Sequence, residues 1–163
     1  MSITVREFTP EDIPAMLPIW NEVVATGIAF PQMEPLDETS GLEFFGGQSF
    51  TGVAIEEAAG KMVGLYILHP NNVGRCGHIC NSSYAVKSEE RGKRIGEILV
   101  KHCIAKAREI GFQILQFNAV VSTNTAALQL YAKLGFVQLG VIPKGFLMKD
   151  GTYEDIIPHY YLL

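Results

Sequence analysis

The stretch that decides the fold of this chain runs Val86-Lys87-Ser88-Glu89-Glu90-Arg91-Gly92-Lys93-Arg94-Ile95-Gly96-Glu97-Ile98-Leu99. The short apolar run that leads into it, from Ser83 to Val86, predicts the end of a β-strand. The apolar residues that follow have the spacing of one helix face: Ile95, Ile98, Leu99, Cys103, Ala107 and Ile110. Between the predicted strand and the predicted helix lies a loop with glycine and several cationic side chains.

This order of elements is typical of a phosphate-binding site. The first backbone N–H groups of a helix have no partner inside the helix, and the helix dipole makes that end positive. An anion binds well there, and Gly92 and Gly96 allow it to approach the backbone closely. The P-loop pattern Gly-x-x-x-x-Gly-Lys-Ser/Thr and the dinucleotide pattern Gly-x-Gly-x-x-Gly are both absent. An ordinary basic loop before a surface helix is the structural alternative.

The loop resembles a pattern of one enzyme family. Arg91-Gly92-Lys93-Arg94-Ile95-Gly96 is similar to Arg-x-x-Gly-x-Gly/Ala, the pyrophosphate loop of the GCN5-related N-acetyltransferases, the GNAT family. The family usually has glycine at the position of Arg94. Close approach of a phosphate to this one amide is therefore not implied by the resemblance.

A second stretch, Phe117 to Phe136, resembles the other half of the same family's cofactor site. The family pattern is a strand, Asn-x-x-Ala, a helix that carries a tyrosine, and Leu-Gly-Phe. Asn124 with Ala127, then Tyr131, then Leu134-Gly135-Phe136 match it in that order. The chain is identified as a member of this family, with motif-grade identity between about Tyr84 and Phe136.

The run Trp20-Asn21-Glu22-Val23-Val24 with Gly27-Ile28-Ala29-Phe30 faintly resembles the start of the phosphinothricin-acetyltransferase subgroup, but it names no substrate. In the family, the region after the first helix borders the acceptor site.

The resemblance implies the GNAT fold in a single domain, residues 1–163. This is an α/β fold with a mixed twisted sheet of about six to seven strands, flanked by about four helices. Residue patterns along the chain agree with it. They predict strands near 3–8, 50–56, 62–69, 78–86, 114–121, 136–141 and 155–163, helices from about residues 9, 37, 96 and 124, and a loop after Pro143.

The resemblance also implies acetyl-CoA as cosubstrate and a set of residues that bind it. In the family, the pantetheine arm pairs like an extra strand with unpaired backbone groups, here those of Tyr84, Ala85 and Val86; such groups pair readily with an amide-bearing chain. Asn118 and Asn124 are expected to bond the cofactor, as is Tyr131. The loop residues expected to bind its phosphates are Arg91, Gly92, Lys93, Arg94, Ile95 and Gly96.

Acetyl transfer to an amine places two demands on proton transfer. In the family, a tyrosine at the position of Tyr131 protonates the departing thiolate; a packing role in the core is the alternative for this residue. The protonated amine must also lose a proton to a base or a water chain. Many relatives have a glutamate before the phosphate loop, whereas the stretch from Cys80 to Tyr84 has no carboxylate. The base stays open among a water ordered by Asn81 or Ser83 and more distant groups: Glu22, Glu34 and His159.

The oxygen of the thioester also needs a hydrogen-bond donor as it gains negative charge. The backbone N–H near Val86 is the candidate. The acceptor is expected to be a primary amine of a small molecule or a peptide, and the sequence does not choose between them. A domain that binds acyl-CoA as a sensor and transfers nothing is the alternative function, although a pure binder would not need the acid Tyr131.

Composition limits the remaining classes. The chain has 163 residues, 48% hydrophobic and 18% charged, with a formal net charge of −4. These values are typical of one globular domain, and the acidic balance argues against nucleic-acid binding. No apolar run approaches a membrane span, so we expect no membrane partner and a cytoplasmic location. A homodimer is left open.

The three cysteines do not form a disulfide framework. Cys76, His78 and Cys80 would share one face of a strand, which suggests a metal site. Neighbours on a flat strand rarely converge on one ion, and no fourth ligand is close in sequence. We therefore expect no metal.

Overall fold

The computed structural model describes all 163 residues, which form four α-helices and eight β-strands. The elements in chain order are β1 Ile3–Glu7, α1 Ile13–Thr26, α2 Glu38–Gly46, β2 Phe50–Glu56, β3 Lys61–Pro70, β4 Ile79–Val86, α3 Ile95–Ile110, β5 Ile114–Val121, α4 Thr125–Leu134, β6 Val137–Gln138, β7 Ile142–Leu147 and β8 Tyr153–Leu162. Short 3-10 turns lie at Pro10–Asp12, Gly74–Cys76 and Ser88–Glu90. None of the helices is both long enough and apolar enough to cross a membrane.

One twisted sheet holds all eight strands in the order β1-β2-β3-β4-β5-β8-β6, and β7 also pairs with β8. Neighbouring strands are antiparallel except for β4 and β5. The core has two halves, one on each face of the sheet. Side chains of α1 and α2, including Trp20 and Phe45, fill one half, and side chains of α3, including Leu99 and Cys103, fill the other together with partly buried residues of α4.

Local sequence signals explain where the helices begin and end. Asp37 caps α2 by accepting from the backbone N–H of Ser40 at 2.8 Å. Asn124 caps α4 by accepting from the N–H of Ala127 at 3.3 Å. Gly111 ends α3 in the left-handed conformation, which glycine adopts without steric cost. The helix predictions from the sequence are confirmed within a few residues.

The strands β4 and β5 separate soon after they pair, and this is the feature that positions the site. Only Ile79 with Ile114 and Cys80 with Leu115 are paired between them. On its other edge, β4 stays paired with β3 all the way to Val86. The part of β4 after Cys80 therefore has one open edge, as the family resemblance predicted.

An irregularity in β5 lies opposite a proline in β8. Phe117 pairs with His159 and Val120 with Ile157, and the register shifts between these two pairs. Pro158 lies between these two pairs. Proline has no N–H to donate, and at this position the ladder does not need one. The proline does not interrupt β8, which runs unbroken from Tyr153 to Leu162 as an interior strand of the sheet.

Two strand predictions near the C-terminus were wrong in extent. The strand predicted from Phe136 to Val141 shrinks to the two residues of β6, and β7 forms where a loop was predicted. The sheet thus has eight strands against the expected six to seven. Gly145, within the segment predicted as a loop, serves close packing in β7, because a Cβ at this position would overlap the side chain of Ile156.

Candidate active site

A cleft of about 1060 Å³ opens where β4 and β5 separate. Its walls come from β4, the loop into α3, β5, the first turns of α4, and the segment after α1. Both sequence stretches that resembled the family motifs, Arg91–Gly96 and Phe117–Phe136, therefore border one space, although residues 97–116 lie between them in the chain.

The cleft brings together all but two of the residues predicted to bind the cofactor. Those that line it are Tyr84, Val86, Arg91, Gly92, Arg94, Ile95, Gly96, Asn118, Asn124 and Tyr131. Ala85 and Lys93 are not in the lining. Each exception has a physical cause.

Strand pairing turns Ala85 away from the cleft. The N–H of Lys87 donates to the carbonyl of Val63 at 2.9 Å, and the N–H of Asn71 donates to the carbonyl of Ile79 at 2.8 Å. In an antiparallel ladder this pattern directs the backbone groups of odd-numbered residues of β4, including Ala85, toward β3. The backbone groups of Tyr84 and Val86 consequently point to the open edge. The side chain of Ala85 is buried in the α1 half of the core.

Ion pairs divide the cations of the loop into two kinds. Lys93 binds Glu90 at 2.6 Å, whereas Arg91 and Arg94 line the cleft and have no ion-pair partner. Lys61 and Lys87 both bind Glu89, whose pKa these contacts lower to about 2. The two arginines are the cations of this loop that remain free for an anion in the cleft.

Arg94 immediately precedes α3 and has φ of 63°, the left-handed conformation in which the family usually has glycine. Gly92 also has positive φ, at 80°. A non-glycine residue pays a steric cost in this conformation. The loop thus keeps the expected backbone shape despite the arginine, and the N-terminal end of α3 faces the cleft through Ile95 and Gly96.

A second charged pair borders the cleft between α3 and α4. Glu97 accepts from Lys133 at 2.7 Å and from Lys101 at 2.8 Å. The contacts from both lysines lower the pKa of Glu97 to about 2. Glu97 and Lys133 both line the cleft, and neither was predicted from the sequence.

Tyr131 lies on α4 with its ring against other aromatic rings. Its centroid is 4.5 Å from that of Phe117, 5.3 Å from that of Phe136 and 5.7 Å from that of His159. Burial raises the pKa of the Tyr131 phenol above its usual value. The hydroxyl therefore keeps its proton across the physiological range, and it has no hydrogen-bond partner within the protein.

The candidates for the base lie in different places. Asn81 and Ser83 line the cleft. Glu22 accepts weakly from the N–H of Ser88 at 3.4 Å, and Glu34 is exposed; neither lines the cleft. His159 is fully buried, and burial lowers its pKa. Its Nδ1 is bonded to the carbonyl of Ile157 at 2.6 Å.

The segment after α1, which the family resemblance predicted to border the acceptor site, lines the cleft on the side away from α3. Its lining residues are Ile28, Ala29, Phe30 and Pro31. The side chain of Asn21 holds the end of this segment, because it bonds both the N–H and the carbonyl of Leu36 at 2.8 Å. Phe30 packs against Trp20 at 4.5 Å between centroids.

The proposed metal ligands do not form a cluster. Cys76 is exposed and lies in a 3-10 turn before β4, and Cys80 is buried in the strand. Burial raises the pKa of the Cys80 thiol to about 12, which disfavours the thiolate that binds metals. No group of three or more histidine, cysteine or carboxylate side chains is close enough to hold an ion.

Comparison with known proteins places the chain among acetyltransferases. Residues 18–136 match the acetyltransferase (GNAT) family. An L-methionine sulfoximine/L-methionine sulfone acetyltransferase of Pseudomonas paraeruginosa is 29% identical over 162 residues, which are 96% of this chain and 92% of that protein. The N-acetyltransferase aca1 of Schizosaccharomyces pombe is 33% identical over 103 residues, 62% of this chain but only 49% of the relative.

Solved structures of the same fold cover nearly the whole chain. A GCN5-related N-acetyltransferase from Kribbella flavida has a TM-score of 0.90 and 31% identity, with 99% of this chain and 98% of that one covered. A GNAT phosphinothricin acetyltransferase from Sinorhizobium meliloti, in complex with acetyl-CoA, has a TM-score of 0.89 and 23% identity, with 100% and 89% covered.

Proposed function

The chain belongs to the acetyltransferase (GNAT) family, and from that premise we propose that it transfers the acetyl group of acetyl-CoA to a primary amine of a small molecule. The proposed mechanism is direct attack by the amine while both substrates are bound. The single observation that carries the proposal is the cleft between β4 and β5, which both motif stretches line.

The open edge of β4 supports binding of the pantetheine arm. The backbone groups of Tyr84 and Val86 point away from β3, toward the space that β5 has vacated. An extended chain with amide groups can satisfy such an edge by forming ladder hydrogen bonds. Pantetheine has two amides and is such a chain.

The N-terminal end of α3 supports binding of the phosphates. The helix end is positive, and Arg91 and Arg94 add free cationic side chains beside it. Lys93 contributes less directly, because Glu90 already neutralises it. Glu90 also binds Lys61 of β3 at 3.2 Å and so connects the loop to the sheet.

Residues on the two sides of the cleft divide the chemistry. Acetyl-CoA supplies an activated acetyl group as a thioester. The amine nitrogen forms a bond to the acetyl carbon, the carbon–sulfur bond breaks, and the proton of the amine goes to water. The N–H of Val86 donates to the acetyl oxygen as that atom gains charge. Tyr131 donates its proton to the departing sulfur and regains one from solvent.

The base is best assigned to water held by Asn81 or Ser83, since both line the cleft where no carboxylate belongs to β4. An amide or hydroxyl group does not remove a proton by itself at neutral pH, but it orients a water that does. The names of relatives support a small-molecule acceptor, because the Pseudomonas protein acts on L-methionine sulfoximine and L-methionine sulfone.

Two measurements test the proposal. Acetyl-CoA at about 100 times its dissociation constant adds about 2.7 kcal/mol of stability, which raises the melting temperature of a domain of this size by roughly 5–10 °C. The purified protein should also release CoA when small primary amines are added. An unchanged melting temperature would remove the cofactor assignment. A raised melting temperature without CoA release from any amine or peptide would favour the sensor instead.

A further inference from the structure

Four side-chain amides meet at the separation of β4 and β5 and form what we call the carboxamide cluster: Asn71, Asn81, Gln116 and Asn118. Asn71 follows β3, Asn81 lies on β4, and the other two lie on β5. The cluster thus ties together three strands at the place where the sheet opens. Asn81 and Asn118 line the cleft, whereas Asn71 and Gln116 lie behind them.

Alternation along the strands places the cluster on the α1 side of the cleft. Ala85 on β4 is buried in the α1 half of the core, so Asn81 and Ser83 share its face. Leu115 and Phe117 on β5 are buried in the α3 half, so Gln116 and Asn118 face the other way. The cluster and the segment after α1 therefore border the same side of the cleft.

One backbone group determines which way each amide points. The N–H of Ser82 donates to Oδ1 of Asn81 at 2.7 Å, so the nitrogen of Asn81 must face away and donates to Oδ1 of Asn71 at 3.4 Å. Asn71 and Asn118 then exchange hydrogen bonds of 3.2 and 2.7 Å. Gln116 donates to Oδ1 of Asn118 at 3.0 Å.

In this arrangement the amide oxygens of Asn71, Asn81 and Asn118 all accept hydrogen bonds, whereas each amide nitrogen keeps one hydrogen free. Oδ1 of Asn71 and Oδ1 of Asn118 each accept two hydrogen bonds, and Oδ1 of Asn81 accepts from the backbone. Each amide nitrogen carries two hydrogens, and each of the four nitrogens uses one of them for a contact within the cluster. Asn81 and Asn118 consequently present mainly N–H donors to the cleft.

The two donors that line the cleft are neighbours. Nδ2 of Asn81 and Nδ2 of Asn118 both donate to the same oxygen of Asn71. Two nitrogens bonded to one oxygen are close enough to bind one oxyanion group between them. The carboxylates that line the cleft, Glu90 and Glu97, both lie at the α3 side and are both paired with lysine.

We propose that Asn81 and Asn118 bind a carboxylate carried by the acceptor amine, with Asn71 and Gln116 positioning them. The proposal rests on the proposed function and adds the chemical class of its acceptor: an amine with an oxyanion near the reacting nitrogen, in the manner of an amino acid. A polyamine would instead bring a second cation to a surface of N–H donors without a carboxylate to pair with it.

A matched pair of amines tests the proposal on the wild-type protein. L-methionine sulfone and 3-(methylsulfonyl)propan-1-amine differ only by the carboxylate. We expect kcat/KM for CoA release to be at least tenfold higher with the first. Spermidine should be a poorer acceptor than both. Equal or higher kcat/KM with the carboxylate-free amine, while acetyl-CoA still raises the melting temperature, would overturn this proposal and leave the proposed function standing. Absence of CoA release with every amine would overturn both.

Two substitutions of one residue separate recognition from folding. Asn118→Asp places a negative charge in the cluster, so KM for L-methionine sulfone should rise tenfold or more. Asn118→Leu removes the donor without adding charge, so the preference for the carboxylate-bearing amine should shrink severalfold. The quantity to compare between wild type and variant is the ratio of kcat/KM for the two amines. The difference between the pKa values of the two amines is the same for every enzyme and cancels in this comparison.

Gln113→Glu is the matched control, because it adds the same charge near the start of the same strand, about 16 Å from Asn118 by strand geometry. Its side chain is exposed. Gln113→Glu should leave kcat/KM unchanged for both amines. An equal rise of KM in Asn118→Asp and Gln113→Glu would overturn the proposal, as would an unchanged amine ratio in Asn118→Leu with a wild-type melting temperature.

Discussion

The two sides of the cleft are built in opposite ways. The α3 side is rich in charge and comes from two short stretches: the end of β4 with Arg91, Arg94 and the start of α3, and the first turns of α4. The α1 side has uncharged lining residues from three separate parts of the chain, the segment after α1, β4 and β5. The α3 side therefore suits a cofactor that carries phosphates, and the α1 side suits a small acceptor molecule.

The α3 side can be recognised from a sequence motif, whereas the α1 side cannot. A helix terminus that binds phosphate needs a fixed local order of strand, glycine, cation and helix. A surface of N–H donors needs only side chains that the fold brings together, in any order along the chain. Substitutions on the α3 side should therefore change the binding of acetyl-CoA or the rate of acetyl transfer. Substitutions on the α1 side should change KM for the acceptor.

The largest expected effect is that of Tyr131→Phe. Removing the hydroxyl takes away the proton donor to sulfur while the ring keeps its aromatic neighbours, so kcat and kcat/KM should both fall about 10²-fold. Because burial raises the pKa of Tyr131, the wild-type rate should show no loss of this acid below pH 10. Steady-state kinetics beside a melting curve checks both points.

Tyr161→Phe is the control for that substitution. Tyr161 packs on Phe136 at 5.0 Å within the same group of rings but does not line the cleft. It should keep the wild-type rate. A Tyr131→Phe protein with full turnover and a lowered melting temperature would assign the residue to packing alone.

The next effect distinguishes two cations of one loop. Arg91→Gln should weaken CoA binding about tenfold, because a charged hydrogen bond to phosphate contributes roughly 1.5 kcal/mol or more. Lys93→Gln should weaken it less than threefold, since Lys93 is already paired with Glu90. Titration calorimetry at two salt concentrations measures both, and pantetheine, which lacks the phosphates, should bind all three proteins equally. Equal losses for Arg91→Gln and Lys93→Gln would contradict this division of roles.

On the α1 side, Asn21→Ala should loosen the segment that follows α1. It leaves two backbone groups of Leu36 without their partner, which costs about 1–2 kcal/mol and lowers the melting temperature by roughly 2–8 °C. KM for the acceptor should rise severalfold with KM for acetyl-CoA nearly unchanged. Gln48→Ala removes a similar bond to the carbonyl of Phe44 at the end of α2 and should affect only stability. A larger rise in KM for acetyl-CoA than for the acceptor would break the comparison.

The smallest effect tests whether the stability of the α1 side is separable from binding. Arg6 holds Asp12 at 2.7 and 2.9 Å, which lowers the pKa of that carboxyl. This lowering of the pKa stabilises the folded protein at pH values above the pKa of Asp12 in the unfolded chain, near 4. The stabilisation is lost as the pH falls through the pKa of Asp12 in the folded protein. Asp12→Asn should therefore cost about 0.5–1 kcal/mol at pH 7 and nothing at the lowest pH.

Melting curves from pH 7 down to pH 3 measure that difference, and Glu34→Gln, at an exposed residue without an ion pair, serves as the control. Neither substitution should change KM for either substrate. A difference between wild type and Asp12→Asn that stays constant with pH would show that the carboxylate charge is not its source.

Elements that depend on neighbouring residues could be predicted from the amino-acid sequence. The helix of Ile95–Ile110, the cap at Asn124 and the glycine ends of the helices follow from apolar spacing and local hydrogen bonds, and the structure has them where they were predicted. The cationic loop was predicted for the same reason, since every part of a helix-terminal phosphate site lies within one short stretch.

Features that depend on partners far apart in the chain could not be predicted before the fold was known. The pairing of Glu89 and Glu90 with Lys61 depends on the position of β3, and whether the chain at Pro143 forms a loop or a strand depends on the approach of β8. The side chain of Asn118 bonds that of Asn71, 47 positions earlier in the chain, because β4 and β5 separate between them. Hydrogen bonds of this kind leave no periodic signal in the sequence, since their energy is gained only when the sheet has formed.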